Sequence, residues 1–318
     1  MKRIRWIIYI LLLSTSMTVM AQNQQVTGNE AYTDIYKEYT DDPDVHIYTS
    51  NIDYTELATQ ITAGCTDDYQ RVRAIYEWVC KNIDYDLSKS IHRADSCLMM
   101  RKGVCQAYCE LFYRIAQPLN IRVEPVDGYA KGIDGRIAKD GHTWLFVYTQ
   151  EKRGILLDPT WGAGGIVDGQ YVKNANCLTW FNVEPEWMLL THYPNLEVYQ
   201  LIDQPITMRE FRDLPMANPL WREYGLDVKD IIKIVEVPMN KHLKTNTEYV
   251  FRIKPESGLE WAVVNGTEWF MNWDVENGIY SLKVTPHKTG MMMLCVKMKE
   301  YQSGFISCLM YDVKKSAF

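Results

Sequence analysis

The stretch RKGVCQAYCE, from Arg101 to Glu110, decides how the rest of the chain is interpreted. Cys105 directly follows Gly103-Val104, at the point where apolar residues begin to recur at helical spacing. The N–H groups in the first turn of a helix have no partner within the helix and, together with the helix dipole, they favour a thiolate. Cys105 is therefore a candidate nucleophile, although a small buried thiol is the better explanation when the cysteine is considered alone.

A nucleophilic cysteine needs a histidine, and that histidine needs an orienting carboxylate or amide. His142 opens one predicted strand, and Asp158 closes the next. If a hairpin pairs Tyr148 with Gly154, Trp144 lies opposite Asp158 and His142 is the diagonal neighbour of Asp158 on the same face. A slip of one residue would put His142 and Asp158 on opposite faces. Asp158-Pro159 is also an ordinary way to start a turn.

The order of predicted elements indicates an α+β fold in which helices pack on an antiparallel sheet. Capping residues and apolar periodicity place helices over residues 53–63 and 67–82, and a third from residue 104 that Pro118 ends. Strands follow over residues 122–126, 142–148 and 155–157.

Three motifs occur in the order GVCQAY, GHTWLFV and LLDPTW, and they carry Cys105, His142 and Asp158. Two further segments, AIYEWVCKNIDYD and VDGYAKG, precede the cysteine and the histidine. Together they resemble the transglutaminase-like superfamily, which has a papain-related fold and the chain order Cys, His, Asp. Within it, the chain is similar to the branch that contains the kyphoscoliosis peptidase and exported bacterial relatives. The resemblance covers about residues 67–161 and continues loosely to about residue 226.

The resemblance implies that Cys105 is the nucleophile, His142 the general base and acid, and Asp158 the residue that orients His142. It implies that the oxyanion is held by the backbone N–H of Cys105 and by a second donor upstream, for which Tyr85 is the candidate.

Other residues of the motifs are expected to line the substrate site, namely Gln106, Trp144 and Trp161. Cys109 departs from the family pattern, which more often has alanine there. The departure leaves the three catalytic positions intact.

A metal site is the alternative interpretation of the cysteines. Cys105 and Cys109 share one helix face, and His92 or His142 could complete a set of ligands. No paired cysteine or histidine motif supports such a site, so neither a metal nor another cofactor is expected. The run Met291–Met293 is explained by strand alternation, which puts Met292 in a core with Leu294, Val296 and Met298.

The first residues predict export. Three basic residues precede an apolar run over residues 6–13, and Val19-Met20-Ala21 has the small residues of a cleavage site. Residues 1–21 are therefore predicted to be a signal peptide, which sends the chain to the periplasm or outside the cell and leaves no membrane span. The net charge of −6 and the lack of a basic stripe argue against nucleic-acid binding.

Two domains are expected after the signal peptide and a polar arm over residues 22–50. The catalytic domain, with a loop-rich extension, covers residues 51–225. Residues 226–318 have the alternating short strands and turn residues of a small all-β sandwich of immunoglobulin type. Its strands are predicted over residues 232–237, 249–253, 261–264, 279–284, 291–298 and 305–313.

In that domain, a predicted hairpin places Met298 opposite Phe305 and therefore Cys295 opposite Cys308. An oxidising environment could join the two cysteines in a disulfide. The other cysteines are expected to be mostly buried thiols.

The sequence favours an exported cysteine peptidase or amidase that works through an acyl-enzyme. The partner would be a protein or peptide, cell-wall peptide included, and a small amide remains open. A protein transglutaminase, with Trp144 and Trp161 as walls of a water-poor tunnel, is the alternative within the same chemistry. A non-catalytic surface module that binds protein or glycan is the alternative from another class. The sequence does not determine the oligomeric state.

Overall fold

The computed structural model describes residues 52–132, 135–150, 154–174, 177–217, 232–255, 258–297 and 304–316. The predicted signal peptide and polar arm lie outside these residues. Within the described ranges, no helix combines the length and the apolar character needed to cross a membrane.

The described residues contain seven helices, and the four longest precede the main sheet, as expected from a sequence in which helices come before strands. The helices are α1 (Tyr54–Ile61), α2 (Asp68–Asn82), α3 (Ala94–Met100), α4 (Cys105–Ala116), α5 (Pro159–Ala163), α6 (Pro185–Met188) and α7 (Met208–Asp213). Single 3₁₀ turns cover Gln117–Leu119, Cys177–Trp180 and Glu197–Gln200. The predictions of α1, α2 and α4 are confirmed, with Asp53 and Asp67 as the capping residues of the first two.

Helix α3 was not predicted, because its start is stabilised from a distant part of the chain. Its N-cap residue, Arg93, makes no capping bond through its side chain. Instead, the Ala94 N–H donates to Glu110 Oε2 of α4 at 3.0 Å, and Glu110 also pairs with Arg93 at 3.2 Å. A local sequence pattern does not contain that contact.

A five-stranded antiparallel sheet follows the first helices. Its strands, in spatial order, are β8 (Phe181–Val183), β5 (Ile155–Leu157), β4 (His142–Val147), β3 (Val123–Ala130) and β9 (His192–Pro194). The predictions of β3, β4 and β5 are confirmed, whereas β8 and β9 are three-residue strands in the region predicted as loop-rich. Short two-stranded pairings join β1 (Asp84–Tyr85) to β2 (Lys102–Gly103), and β6 (Gly164–Val167) to β7 (Gln170–Lys173).

The two faces of the five-stranded sheet are covered differently. Leu145 and Val147 of β4 pack with the helices, in a core that includes Leu111 of α4. Trp144 and Phe146, the alternate residues of β4, pack on the other face with residues from β8 and α6. Both faces of β4 are therefore buried.

The later part of the chain is all-β and consists of two sheets around a second core. One sheet contains β10 (Met216–Ala217), β12 (His242–Lys244), β14 (Glu260–Asn265), β15 (Glu268–Phe270), β18 (Gly290–Lys297) and β19 (Phe305–Lys314). The other contains β11 (Ile232–Glu236), β13 (Tyr249–Pro255), β16 (Asp274–Glu276) and β17 (Ile279–Val284). The six predicted strands are confirmed, while the immunoglobulin type of the sandwich stays a prediction.

The predicted boundary between the domains, at residue 226, falls among residues 218–231, which lie outside the described part of the chain. Before that gap, Phe211 and Leu214 already contribute side chains to the second core, and β10 pairs with β19. The end of the loop-rich extension therefore packs with the all-β region.

The predicted register of Cys295 and Cys308 is wrong. An irregularity between Leu294 and Cys295 shifts the pairing, so that Cys295 lies opposite Ser307 and Leu294 lies opposite Leu309. Cys308 packs in the second core, whereas Cys295 belongs to a small cluster with Ala262 and Val264. All eight cysteines are free thiols. A β-bulge of this kind inserts one extra residue, and even alternation along the sequence does not reveal it. Met298, the other residue of the proposed pairing, is outside the described residues, while the core placement of Met292, Leu294 and Val296 is confirmed.

Candidate active site

Cys105 is the first residue of α4, as the sequence predicts. The N-cap residue Val104 has an extended backbone and makes no side-chain capping bond. The first N–H groups of α4 therefore donate no hydrogen bond to the N-cap side chain. Gly103 of β2 has no side chain, which allows β2 to lie close against α3 and α4. A Cβ at that position would lie 2.7 Å from Ala107 Cβ of α4 and 2.9 Å from Cys97 Sγ of α3.

The loop before α3 also fixes the start of α4. The buried Asp86 carboxylate accepts backbone and side-chain hydrogen bonds from Ser88 and Ser90, and a further one from the Ile91 N–H. The Ile91 carbonyl in turn accepts the Val104 N–H at 3.0 Å. Burial alone would raise the pKa of the Asp86 carboxyl, but these hydrogen bonds hold that pKa below its ordinary value.

Tyr85 and Gln106 lie beside the Cys105 thiol. Tyr85 pairs with Gly103, and its pKa is raised by burial and by the neighbouring Cys105. Gln106 Oε1 is 3.5 Å from Cys105 Sγ. Both residues are therefore near the Cys105 thiol, and their roles in holding an oxyanion or a substrate stay predictions.

His142 and Asp158 meet as the predicted hairpin register requires. Leu145 lies opposite Leu157, and Val147 lies opposite Ile155, so the same register puts position 144 across from position 158. His142 Nε2 is 2.7 Å from Asp158 Oδ2. His142 also interacts with the Cys105 thiol. Because Asp158 occupies Nε2, Nδ1 is the ring nitrogen that remains for the sulfur.

The electrostatics of this pair favour an imidazolium and a carboxylate. Burial alone would lower the pKa of His142, but the charge and hydrogen bond of Asp158, and then Cys105, raise it above its ordinary value. Burial would raise the pKa of Asp158, but His142 and then His192 hold it below its ordinary value.

Asp158 is also the N-cap of α5, so one carboxylate both contacts His142 and starts the following helix. Oδ1 accepts the backbone N–H groups of Thr160 at 2.8 Å and Trp161 at 3.0 Å, while Oδ2 faces the imidazole. The Asp158 N–H donates to the Trp180 carbonyl, and its own carbonyl accepts from Gly162 N–H and from the Tyr76 hydroxyl. A substitution of Asp158 will therefore affect the helix as well as His142.

His192 is a site residue that the sequence prediction missed. It is fully buried on β9, and its Nε2 is 3.1 Å from the same Asp158 Oδ2 that faces His142. The signal was the segment LLTHYP, in which a lone histidine follows apolar residues in a short strand. Three residues give too little alternation for a strand to be recognised.

Trp144 and Trp161 occupy different places around these rings. Trp144 is 1% exposed and packs beneath them, with its ring centroid 6.0 Å from that of His142. It therefore does not present a wall to an accessible tunnel, contrary to the expectation. Trp161 is half-buried, and its ring lies 5.7 Å from His142 and 4.5 Å from His192, so it is available to line a cleft.

The cysteine–histidine metal set considered from the sequence does not assemble. Cys109 Sγ donates to the Thr143 carbonyl at 3.4 Å, and His92 Nε2 contacts the Lys89 carbonyl at 3.0 Å. The group with metal-ligand composition among the described residues is instead His142, Asp158 and His192. Its contacts of 2.7 and 3.1 Å are hydrogen-bond lengths, which protons on the two imidazoles explain.

Residues 55–159, which include Cys105, His142 and Asp158, match the model of the transglutaminase-like superfamily. The kyphoscoliosis peptidase of Mus musculus is 29% identical over 171 residues, which cover 50% of this chain and 26% of the mouse protein. Hillarin of Drosophila melanogaster is 26% identical over 198 residues, covering 56% of this chain and 24% of that protein. A solved TGase structure is 17% identical, covers 45% of this chain and 41% of its own, and superposes with a TM-score of 0.28.

Residues 55–159 thus carry the sequence of a transglutaminase-like domain. The chain is similar to the kyphoscoliosis peptidase and to hillarin, and it spans only about a quarter of the length of these relatives.

Proposed function

We propose that the chain is an exported cysteine hydrolase that cleaves amide bonds of proteins or peptides. One observation carries the proposal: the buried His142 lies 2.7 Å from the Asp158 carboxylate through Nε2, and the same imidazole interacts with the Cys105 thiol. This is the arrangement that activates a nucleophile in Cys-His and Ser-His enzymes.

In the first half of the reaction, the Cys105 sulfur attacks the carbonyl carbon and a carbon–sulfur bond forms. The oxyanion would be held by the Cys105 N–H at the start of α4, with Tyr85 as a candidate second donor. His142 then gives its Nδ1 proton to the leaving nitrogen as the carbon–nitrogen bond breaks. An acyl group remains on Cys105.

In the second half, water replaces the amine. His142 takes a proton from the water, the oxygen attacks the thioester carbonyl, and the carbon–sulfur bond breaks to release the acid. Asp158 remains ionised throughout and stabilises the imidazolium whenever it forms. The cycle returns Cys105 and His142 to their starting state.

The name of the mouse relative supports hydrolysis, since that protein is a peptidase by name. Export rests on the signal-peptide pattern of residues 1–21 alone. Transfer of the acyl group to an amine would use the same intermediate. The transglutaminase alternative loses one supporting argument, namely that Trp144 forms a wall of a water-poor tunnel, because Trp144 is buried beneath the imidazole.

An activated ester tests the proposal without knowledge of the natural substrate. The purified chain is mixed with p-nitrophenyl acetate, and the acetylated residue is located by mass spectrometry. Acetyl-Cys105 that forms quickly and is lost on standing supports the proposal, with the Cys105→Ala variant as the control. A chain in which Cys105 acquires no acetyl group, or loses none, contradicts it.

The same intermediate separates hydrolysis from transfer. Cadaverine is added during turnover, and free acetate and acetylcadaverine are measured. Hydrolysis predicts that acetate remains the main product. Acetylcadaverine as the main product would assign the chain to the transferases instead.

A further inference from the structure

A second buried histidine shares the carboxylate oxygen that orients His142. His192 Nε2 lies 3.1 Å from Asp158 Oδ2, and His142 Nε2 lies 2.7 Å from the same atom. The side chains of His192 and Asp158 are completely buried, so water does not replace either partner.

The hydrogen-bond chain beyond His192 places a proton on its Nε2 in either orientation of the Thr191 hydroxyl. Thr191 Oγ1 is 2.8 Å from His192 Nδ1 and 3.3 Å from the Met188 carbonyl. If the hydroxyl donates to Nδ1, His192 is neutral with its proton on Nε2. If the hydroxyl donates to Met188, Nδ1 must carry a proton as well. In both cases Nε2 donates to Asp158, because an ionised carboxylate can only accept.

We propose that His192 is a positioning residue that fixes Asp158 Oδ2 for His142 during catalysis. This inference rests on the proposed function. Asp158 Oδ1 is already held by the first turn of α5, so His192 supplies the second anchor and prevents the carboxylate from turning about its bond to Cβ.

The second anchor matters most when the first partner changes its charge. As His142 gives its Nδ1 proton to a leaving group, it becomes neutral and its bond to Asp158 weakens. A carboxylate held only by His142 could then move. The bond from His192 does not change in that step, so Oδ2 stays where His142 needs it for the next protonation.

A packing role is the rival explanation, since aromatic rings surround His192. Its centroid is 4.5 Å from Trp161, 5.0 Å from Trp144 and 5.1 Å from Trp180. Three variants separate the two explanations. His192→Gln keeps an N–H near the position of Nε2, His192→Asn is shorter and can reach only toward Thr191, and His192→Phe keeps the ring without a donor.

The readout is the rate of iodoacetamide alkylation of Cys105 at pH 6, followed peptide by peptide, and the rate of acetylation by p-nitrophenyl acetate over a range of pH. Both report the Cys105–His142 pair and require no natural substrate. Thermal unfolding identifies variants that fold.

Positioning predicts that His192→Gln stays within a few-fold of the wild-type chain. His192→Asn and His192→Phe should lose about 10- to 100-fold in both rates, by analogy with the loss seen when the outer hydrogen-bond partner of a metal-bound histidine is removed. The inference is overturned if the folded His192→Phe variant reacts faster than the folded His192→Gln variant. It is also overturned if the folded His192→Asn variant reacts as fast as wild type. Neither result contradicts the proposed function. If Cys105 of the wild-type chain reacts no faster than the buried thiols, the proposed function fails and this inference fails with it.

Discussion

Asp158 Oδ2 lies 2.7 Å from His142 Nε2, while Oδ1 of the same carboxylate caps the first turn of α5. The Asp158 side chain therefore both contacts His142 and stabilises the start of α5. Its substitutions should separate into effects on reactivity and effects on stability.

Asp158→Asn should lower reactivity far more than stability. The amide can still cap α5 with its oxygen, but it then presents an NH₂ group to the Nε2–H of His142, and the imidazolium loses its carboxylate. The equivalent change in a serine triad costs roughly 10⁴-fold. The loss here should be smaller, because a thiolate–imidazolium pair needs less help from a carboxylate.

Asp158→Ala supplies the contrast for that experiment. It also removes the cap, which should cost about 1 kcal/mol of unfolding free energy, and it leaves buried imidazole N–H groups unpaired at about 1–3 kcal/mol each. Acetylation kinetics and urea unfolding of both variants check these outcomes. Unchanged acetylation in a folded Asp158→Asn variant would contradict the role of Asp158.

Gly103→Ala should destabilise the chain and disturb the start of α4. The added methyl would lie 2.7 Å from Ala107 Cβ and 2.9 Å from Cys97 Sγ, and overpacking of this kind typically costs about 1–3 kcal/mol. Gly141→Ala is the matched control, because the added methyl would come no closer than 3.6 Å to another atom, the Gly128 carbonyl oxygen. Urea unfolding should show a lower midpoint for Gly103→Ala and little change for Gly141→Ala.

The buried Lys131 should make stability depend on pH in the alkaline range. Burial, and then Lys241, lower the pKa of Lys131 to about 7, although its Nζ donates to the Phe211 carbonyl at 2.6 Å. Between that pKa and the unfolded value near 10.4, the unfolded chain binds the extra proton. The unfolding free energy attributable to Lys131 therefore rises with pH, by about 2 kcal/mol between pH 7 and pH 9.

Lys131→Met removes this contribution. Urea unfolding of the two chains at pH 7, 8 and 9 isolates it, because the other titrating groups are common to both. A difference between the chains that stays constant with pH would contradict the lowered pKa.

Cys105 should be alkylated by iodoacetamide at pH 6 faster than the other thiols, with Cys177 as its nearest rival. A hydrogen bond from Cys80 lowers the pKa of Cys177, although burial opposes this. His142→Gln should slow labelling of Cys105 and leave Cys177 unchanged, whereas Cys80→Ala should slow Cys177 alone. Burial raises the thiol pKa of five other cysteines, which should therefore react slowly: Cys80, Cys97, Cys109, Cys295 and Cys308.

The elements that could be predicted from the sequence are those with local signals. The register of His142 against Asp158 follows from one hairpin loop and even alternation, and it is confirmed. His192, α3 and the pairing of Cys295 depend on other information: a three-residue strand, a cap donated by Glu110 of another helix, and a bulge. Each is fixed by contacts between segments, and these leave little pattern along the chain.

The contact between Cys109 Sγ and the Thr143 carbonyl joins α4 to β4 one helical turn after Cys105 and one residue after His142. The proposed nucleophile, Cys105, belongs to the helix, and its proposed imidazole partner, His142, belongs to the sheet. The Cys109 side chain lies between these two elements, so its size should influence the distance between Cys105 and His142. A larger or smaller residue at position 109 should change the distance between Cys105 and His142, while the distance between His142 and Asp158 stays the same. Reactivity could then be tuned, or switched off, in a chain that still carries all three reactive side chains.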